Sequence, residues 1–325
     1  MKQGKGSSGD FTDIDDLIRR IRTGDKQAIA RSISLAEGAN TVFKKELLTK
    51  LYPYTGHSQV VGITGPPGIG KSTLIGNVSS LITNSGKTVA VLAIDASSPY
   101  TGGSLLGNRI RMQDHLWENK IYMRSLANRG SKGGLADAAL GSVSILDASG
   151  YDYIIIETVG AGQADLDIMN LADTTVLVLA PGLGDQVQAI KAGIMEIADI
   201  FDINKMDRDG AYFAMKDIEE TLSLDENRGF AREVVGSTNT SPESYKGLLE
   251  AINRHRKYLE DMESLGKKRL DFGLKWVLES ELKEKLIDPI IQKFHQRENE
   301  KNVNYYKEVD FLIASMDIRN LLEKI

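Results

Sequence analysis

One glycine-rich segment carries the most information in this chain, and it reads Gly65-Pro66-Pro67-Gly68-Ile69-Gly70-Lys71-Ser72. It matches G-x-x-x-x-G-K-[ST], the loop whose backbone N–H groups surround nucleotide phosphates. Residues 60–64 before it are typical of a buried strand, and residues 72–81 after it are typical of a helix. Such a helix directs its N-terminus toward a bound anion. We therefore predict a nucleoside triphosphate site, with Lys71 on the β- and γ-phosphates, Ser72 on Mg²⁺ and Thr73 also at the nucleotide.

A second motif, Asn204-Lys205-Met206-Asp207, follows the apolar residues 197–203. Its carboxylate can accept hydrogen bonds from N1–H and the 2-amino group of guanine. Adenine has neither donor and would leave the charge unpaired. Asn204 can tie the base loop to the phosphate loop, and the stem of Lys205 can lie on the ring face. Four such letters also occur in ordinary polar turns, so the prediction of GTP over ATP depends on the order and spacing of both motifs. Ser237 and Thr238, after a later strand, complete the predicted GTP and GDP contacts.

The composition limits the classes of function. The chain has 325 residues, a net charge of -5, 41% hydrophobic residues and no cysteine. Absence of cysteine excludes disulfides, iron–sulfur clusters and thiolate metal sites, and the four histidines are scattered without ligand spacing. Mild acidity argues against a nucleic-acid partner, and no apolar stretch is long enough for membrane insertion. The first nine residues resemble no signal peptide, so a cytoplasmic protein is expected.

Strand and helix patterns alternate through the middle of the chain. Strands are predicted at residues 60–64, 88–94, 121–124, 153–157, 175–180, 200–204 and 233–236. Several are continuous apolar runs, which indicates strands buried on both faces. The prediction is an α/β fold, a doubly wound and mostly parallel P-loop core with helical N- and C-terminal extensions. We predict that residues 1–58 form a disordered tail and a helical extension, that residues 59–262 form the P-loop GTPase domain, and that residues 263–325 form a helical extension that could serve as a dimerisation arm.

The flanking helices have their own patterns. Residues 28–51 are predicted as one continuous helix, and a last helix is predicted at residues 309–322. Between them, apolar residues recur at helical spacing, after which Asp288-Pro289 interrupts the helix. This apolar set is Leu270, Leu274, Val277, Leu278, Leu282 and Leu286. It fits packing on the domain's own sheet or a dimerisation surface equally well.

Two carboxylates stand at predicted strand ends beside the phosphate loop, Asp95 and Glu157. Carboxylates at this point commonly hold Mg²⁺ through its waters, although either could instead cap a helix. We predict that Ser72, Asp95 and Glu157 organise the metal. Gly160 can offer its N–H to the γ-phosphate, and Gln163 can orient a water or remain an ordinary surface residue. Together with Lys71 these form the predicted catalytic group, which acts mainly by positioning and charge neutralisation.

Longer strings of sequence resemble the methylmalonyl-CoA mutase-associated GTPases, the MeaB/ArgK-type family, from about residue 17 to 259. The resemblance includes the phosphate loop, the segments at 95–104 and 157–163, the string at 188–196 and the closing helix at 252–259. The family has proline where this chain has Ala96 and aspartate where it has Asn108. These two differences concern Mg²⁺ affinity and switch timing rather than nucleotide binding.

The resemblance implies a homodimeric GTPase chaperone. Such proteins bind a cobalamin-dependent acyl-CoA mutase, gate loading of adenosylcobalamin and protect the mutase from inactivation. Two alternatives stay open. One is an ATP-using kinase associated with arginine and ornithine transport, against which Asp207 argues. The other is a nucleotide-binding scaffold with little hydrolysis.

Overall fold

The computed structural model describes residues 13–38, 41–95, 121–127, 134–158, 169–182, 194–223 and 229–295, together with Val309. Its helices are α1 (Ile14–Arg22), α2 (Lys26–Ala36), α3 (Thr41–Leu51), α4 (Lys71–Asn84), α5 (Gly134–Ala148), α6 (Ile194–Ile197), α7 (Ala211–Ser223), α8 (Tyr245–Asp261), α9 (Lys267–Leu282) and α10 (Asp288–His295). Short 3-10 turns lie at Tyr52–Tyr54 and Pro242–Ser244, and a π-helical turn spans Lys283–Ile287.

The described residues form a sheet of seven parallel strands in the order β3-β2-β4-β1-β5-β6-β7. The strands are β1 (Gln59–Thr64), β2 (Val89–Asp95), β3 (Ile121–Ala127), β4 (Tyr153–Thr158), β5 (Thr174–Leu179), β6 (Ile200–Ile203) and β7 (Glu233–Gly236). The strand that precedes the phosphate loop is central, between β4 and β5. Because all strands run in one direction, the carboxyl ends of β1, β2, β4, β6 and β7 lie at one edge of the sheet.

Apolar cores fill both faces of the sheet. One core combines alternate residues of β2 and β4 with side chains of α1, α2, α3 and α5. The opposite core combines the intervening residues with α4 and α8, and a smaller core joins β5 and β6 to α7. Every residue of β1, β4 and β5 is buried. Each buried Ile, Leu or Val contributes about 1.5–3 kcal/mol, so the sheet is a firm support for the loops at its edge.

A buried charge cluster lies at the amino-terminal ends of the strands, opposite the phosphate loop. Arg269 of α9 approaches Asp147 at 3.5 Å and Asp173 at 3.9 Å. The Asp147 carboxylate also accepts the backbone N–H groups of three residues before β1, and Asp173 accepts the N–H of Val60. Burial raises the pKa of Asp173, and the charge of Arg269 opposes that rise. The cluster connects the first turn of α9 to the backbone at the start of β1.

The predicted fold class is confirmed, and all seven predicted strands are present, with ends that differ from the prediction by at most three residues. The continuous helix predicted at residues 28–51 is wrong, because α2 ends at Ala36 and α3 begins at Thr41. The chain turns at Gly38, whose N–H bonds back to the Leu35 carbonyl. The helix predicted at 309–322 lies outside the described residues, apart from Val309. The division of the chain at residues 58 and 262 stays a prediction.

The chain divides into two compact units, Met1–Lys275 and Trp276–Ile325. Within the first unit, α9 exposes Leu270 and Leu274. Within the second, it exposes Val277, Leu278 and Leu282, and the π-helical turn exposes Leu286. The predicted interruption of the helix at Asp288-Pro289 is wrong, because Leu282 and Asp288 both have right-handed helical backbone angles and the π-helical turn between them leads directly into α10. No helix in the described ranges is long and apolar enough to cross a membrane.

Candidate nucleotide site

The phosphate loop leaves β1 through glycine conformations that other residues rarely adopt. Gly65 has a φ of 146°, and a Cβ there would lie 2.3 Å from the Val178 carbonyl oxygen of β5. Gly70 has a φ of 107°, and a Cβ there would lie 2.6 Å from Nδ2 of Asn204. Glycine therefore lets the loop pass close to β5 and leaves room for the side chain of the second motif. Helix α4 begins directly after Gly70, so the N–H groups of its first turn face the loop.

Lys71 is buried at the base of this loop. Its Nζ donates to the carbonyl oxygens of Gly65 at 2.7 Å and Pro66 at 3.0 Å. The ammonium group thus lies inside the turn that would surround a phosphate. Pro67 and Gly68 are exposed at the tip, Ile69 is buried and Thr73 is exposed in the first turn of α4.

Ser72 and Glu157 meet beside the loop. The Ser72 hydroxyl donates to Oε1 of Glu157 at 2.7 Å. The other carboxylate oxygen is buried and has no hydrogen-bond partner among the described residues. Burial raises the pKa of Glu157, while the Ser72 hydrogen bond and the Lys71 charge act in the opposite direction.

This pair fits a divalent cation. A hydroxyl oxygen and a buried carboxylate with one unsatisfied oxygen are the ligands that Mg²⁺ prefers, directly or through water. Asp95 ends β2 at the same edge, because its strand neighbours Ile94 and Ala93 pair with Thr158 and Glu157 of β4. The side chain of Asp95 lies outside the described atoms.

Asn204 joins the base motif to the phosphate loop. It follows β6, and its Nδ2 donates to the Ile69 carbonyl at 3.0 Å, while its Oδ1 accepts the N–H of Lys205 at 2.8 Å. Lys205 has a φ of 63°, a strained conformation for a lysine, and its Nζ lies 3.2 Å from the Gly68 carbonyl oxygen. Backbone strain of this kind persists where surrounding contacts hold it and is frequent at binding sites. The two motifs therefore form one continuous surface.

Asp207 presents its carboxylate to solvent at the end of this surface. The Thr238 hydroxyl donates to it, and this hydrogen bond is the largest cause that lowers the pKa of Asp207. The N–H of Thr238 donates to the Ser244 hydroxyl at 2.9 Å. Asp207 is thus an exposed, ionised acceptor, whose carboxylate is held in position by a residue that follows β7.

Ser237, at the end of β7, lies beneath the motif. Its hydroxyl donates to Oδ2 of Asp202 at 2.7 Å and lies 3.4 Å from Oδ1 of Asn204. Sequence reasoning did not single out Asp202 or Ser244. The signal available for Asp202 was a carboxylate inside the apolar run of residues 197–203.

Several predicted site residues lie outside the described ranges. They include Gly160 and Gln163, the segment at 96–120 with Ala96 and Asn108, and most of the string at 188–196. The structure brings together the phosphate loop, Glu157, the guanine motif, Ser237 and Thr238.

Comparison with known proteins places this site in a family. The model of the methylmalonyl Co-A mutase-associated GTPase MeaB matches residues 29–295. A Pyrococcus abyssi protein named as a candidate GTPase is 42% identical over 314 residues, which cover 93% of this chain and 97% of that protein. The Caenorhabditis elegans methylmalonic aciduria type A homolog, mitochondrial, is 36% identical over 214 residues, 62% of this chain and 54% of that protein.

A solved structure shares the fold of this chain. The crystal structure of LAO/AO transport system kinase superposes with a TM-score of 0.69 over 99% of this chain and 98% of that one, at 23% sequence identity. At this identity the likeness establishes the fold alone. The family match extends over most of the chain and includes the phosphate loop, Glu157 and the Asn204–Asp207 motif. The chain belongs to the methylmalonyl Co-A mutase-associated GTPase (MeaB) family and is a P-loop GTPase.

Proposed function

We propose that this GTPase is a nucleotide-dependent chaperone of a cobalamin-dependent acyl-CoA mutase. The observation that carries the nucleotide half is the bond from Asn204 to the Ile69 carbonyl, because it couples a guanine-type base motif to a phosphate loop. The family description and the name of the nematode relative support a methylmalonyl-CoA mutase type of partner.

The proposed roles follow from the contacts. GTP entry would draw Nζ of Lys71 from the Gly65 and Pro66 carbonyls to the β- and γ-phosphates, where it neutralises charge. The loop N–H groups and the start of α4 would bind the remaining phosphate oxygens. Ser72, Glu157 and Asp95 would hold Mg²⁺, which supplies further neutralisation of the phosphate charge when bound. Water would then attack the γ-phosphorus, the bond from that phosphorus to the β,γ-bridging oxygen would break, and GDP and inorganic phosphate would be the products.

Base recognition is assigned to the second motif. Asp207 would accept both guanine donors, while Thr238 keeps its carboxylate in position. The stem of Lys205 would cover the ring. Because phosphoryl transfer depends mainly on positioning and charge neutralisation, we expect intrinsic turnover to be slow and open to acceleration by a partner. Gly160 and Gln163 keep their proposed roles at the γ-phosphate.

We also propose a cytoplasmic homodimer. Within the unit Trp276–Ile325, the apolar side chains of Val277, Leu278 and Leu282 of α9 are exposed, and Leu278 is 56% exposed. Such a set at helical spacing is costly in water and is commonly covered by another subunit. Sedimentation equilibrium of the full-length protein tests this, and a monomer at micromolar concentration would remove the dimer from the proposal.

The partner is tested by titration of a purified methylmalonyl-CoA mutase against two nucleotide states. One sample holds GDP and the other a non-hydrolysable GTP analogue. We expect affinities that differ by about 5- to 150-fold, the usual range of coupling between two sites. By thermodynamic linkage, binding of the mutase must increase the affinity of this protein for the preferred nucleotide by the same factor.

A matched control separates coupling from unspecific binding. Lys71→Ala removes the phosphate contact and should show one mutase affinity with or without nucleotide. Equal affinity of the parent protein for the mutase in both states, with no change in GTP hydrolysis on mixing, would overturn the chaperone proposal. GTPase activity itself would be unaffected by that outcome.

A further inference from the structure

A carboxylic acid is buried within the sheet beneath the guanine motif. Asp202 lies on β6, where its parallel neighbours are Val178 of β5 and Val235 of β7, and its side chain is fully buried. Strand alternation puts it on the face of Ile200, which packs with α4 and α8, whereas α7 packs on the opposite face. Among the described residues, its Oδ1 has no hydrogen-bond partner.

Asp202 is connected to Asn204 through a single hydroxyl group. Ser237 Oγ donates to Oδ2 of Asp202 at 2.7 Å, and the same oxygen lies 3.4 Å from Oδ1 of Asn204. A hydroxyl has one proton to donate, so Ser237 can serve only one of these acceptors fully. The Ser237 hydroxyl can therefore donate either to Asp202 or to Asn204, and the protonation state of Asp202 determines which of the two it does.

The two directions differ in what they do to Asn204. When Asp202 is ionised, Ser237 donates to it, and a lone pair of the hydroxyl faces Oδ1 of Asn204. When Asp202 is protonated, it donates to Ser237, which can then donate to Asn204 and support the amide orientation that bonds Ile69. The protonated state thus strengthens the tie between base loop and phosphate loop.

The surroundings make both states accessible near neutral pH. Burial raises the pKa of Asp202 to about 7, and the Ser237 hydrogen bond opposes this. The flanking Val178 and Val235 carry no charge. From α8, Tyr245 is buried, and its pKa is raised to about 12 by burial and then by the charges of Asp202 and Asp207. A neutral tyrosine therefore faces Asp202 throughout the physiological range.

We infer that Asp202 is a positioning residue for guanine recognition, whose protonation tightens guanine nucleotide binding through Ser237 and Asn204. The inference rests on the proposed guanine nucleotide site and adds a regulatory input to it. No contact between Asp202 and the nucleotide is required.

Calorimetry with GDP and Mg²⁺ at several pH values between 6 and 8 tests this on the full chain. The ratio of the GDP affinity at pH 6 to that at pH 8 should be about three- to tenfold larger for the parent protein than for Asp202→Asn. This factor corresponds to the contribution of one neutral hydrogen bond. The ionisation of the GDP phosphates is common to both proteins and cancels in the comparison.

Two further variants complete the design. Ser237→Ala keeps the buried acid but breaks its connection to Asn204, so it should lose the extra pH dependence as Asp202→Asn does. Asp261→Asn removes an exposed carboxylate at the end of α8 and should retain the pH dependence of the parent. If Asp202→Asn fails to fold, Ser237→Ala provides the same comparison.

The outcomes separate the inference from the proposed function. A parent protein that binds no GDP at any pH would overturn both. GDP binding with the same pH dependence in the parent and in Ser237→Ala or Asp202→Asn would overturn the inference and leave the guanine site intact.

Discussion

The buried acid of β6 should make the stability of the protein depend on pH, and Asp202→Asn should remove that dependence. The pKa of Asp202 is raised from 3.8 to about 7 on folding. Between these values the folded state holds more protons than the unfolded state, so the free energy of unfolding falls as pH rises. One pKa unit corresponds to 1.36 kcal/mol, so the loss between pH 5 and pH 7 is about 3 kcal/mol.

Urea denaturation followed by circular dichroism at pH 5, 6, 7 and 8 measures this. The free energy of unfolding of the parent minus that of Asp202→Asn should decrease by about 3 kcal/mol across the series and level off above pH 7. The fixed cost of burying an amide at this position is the same at every pH and cancels. Asp261→Asn serves as the control and should run parallel to the parent. A difference between parent and Asp202→Asn that stays constant with pH would refute the reasoning.

Three further predictions concern the metal pair, the loop and the charge cluster. Glu157→Gln should slow single-turnover GTP hydrolysis by about 100-fold while GDP affinity by calorimetry changes little, and unchanged turnover would remove Glu157 from the site. Gly70→Ala should weaken GDP binding by about tenfold, because the new Cβ meets Nδ2 of Asn204; Gly86→Ala shares the positive φ but has open space and should bind normally. Arg269→Leu should lower the free energy of unfolding by about 3 kcal/mol in urea titrations, because it removes the positive charge beside two buried carboxylates. GTP hydrolysis should be unchanged.

The architecture was largely predictable from the sequence because its strands are unusually explicit. Strands buried on both faces require continuous apolar runs, and β1, β4 and β5 have them. The glycine positions of the phosphate loop mark a strand-to-helix turn with little ambiguity. These local signals do not depend on distant contacts. The fold class, the GTPase activity and the family were therefore predicted correctly.

Other features depend on contacts between distant segments and could not be predicted from the sequence. Ser237 and Asp202 are 35 positions apart, and only the pairing of β6 with β7 brings them together. The same applies to Arg269 and its two carboxylates. The break between α2 and α3 was missed because apolar periodicity continues across Gly38. Asp95, Gly160 and Gln163 stay predictions, since their side chains lie outside the described residues.

The guanine site is tested most directly by measuring nucleotide preference before and after the Asp207 carboxylate is replaced by an amide. The parent protein and Asp207→Asn are titrated by calorimetry with GTP, ATP and xanthosine triphosphate in the presence of Mg²⁺. The parent should prefer GTP over both others. The affinity of the variant for GTP should fall by about 10- to 100-fold. Its affinity for xanthosine triphosphate should rise, because the ring carbonyl of that base accepts a hydrogen bond from the new amide. Equal affinity of the parent for GTP and ATP, or a variant that keeps the GTP preference, would contradict the assignment of Asp207 to the base.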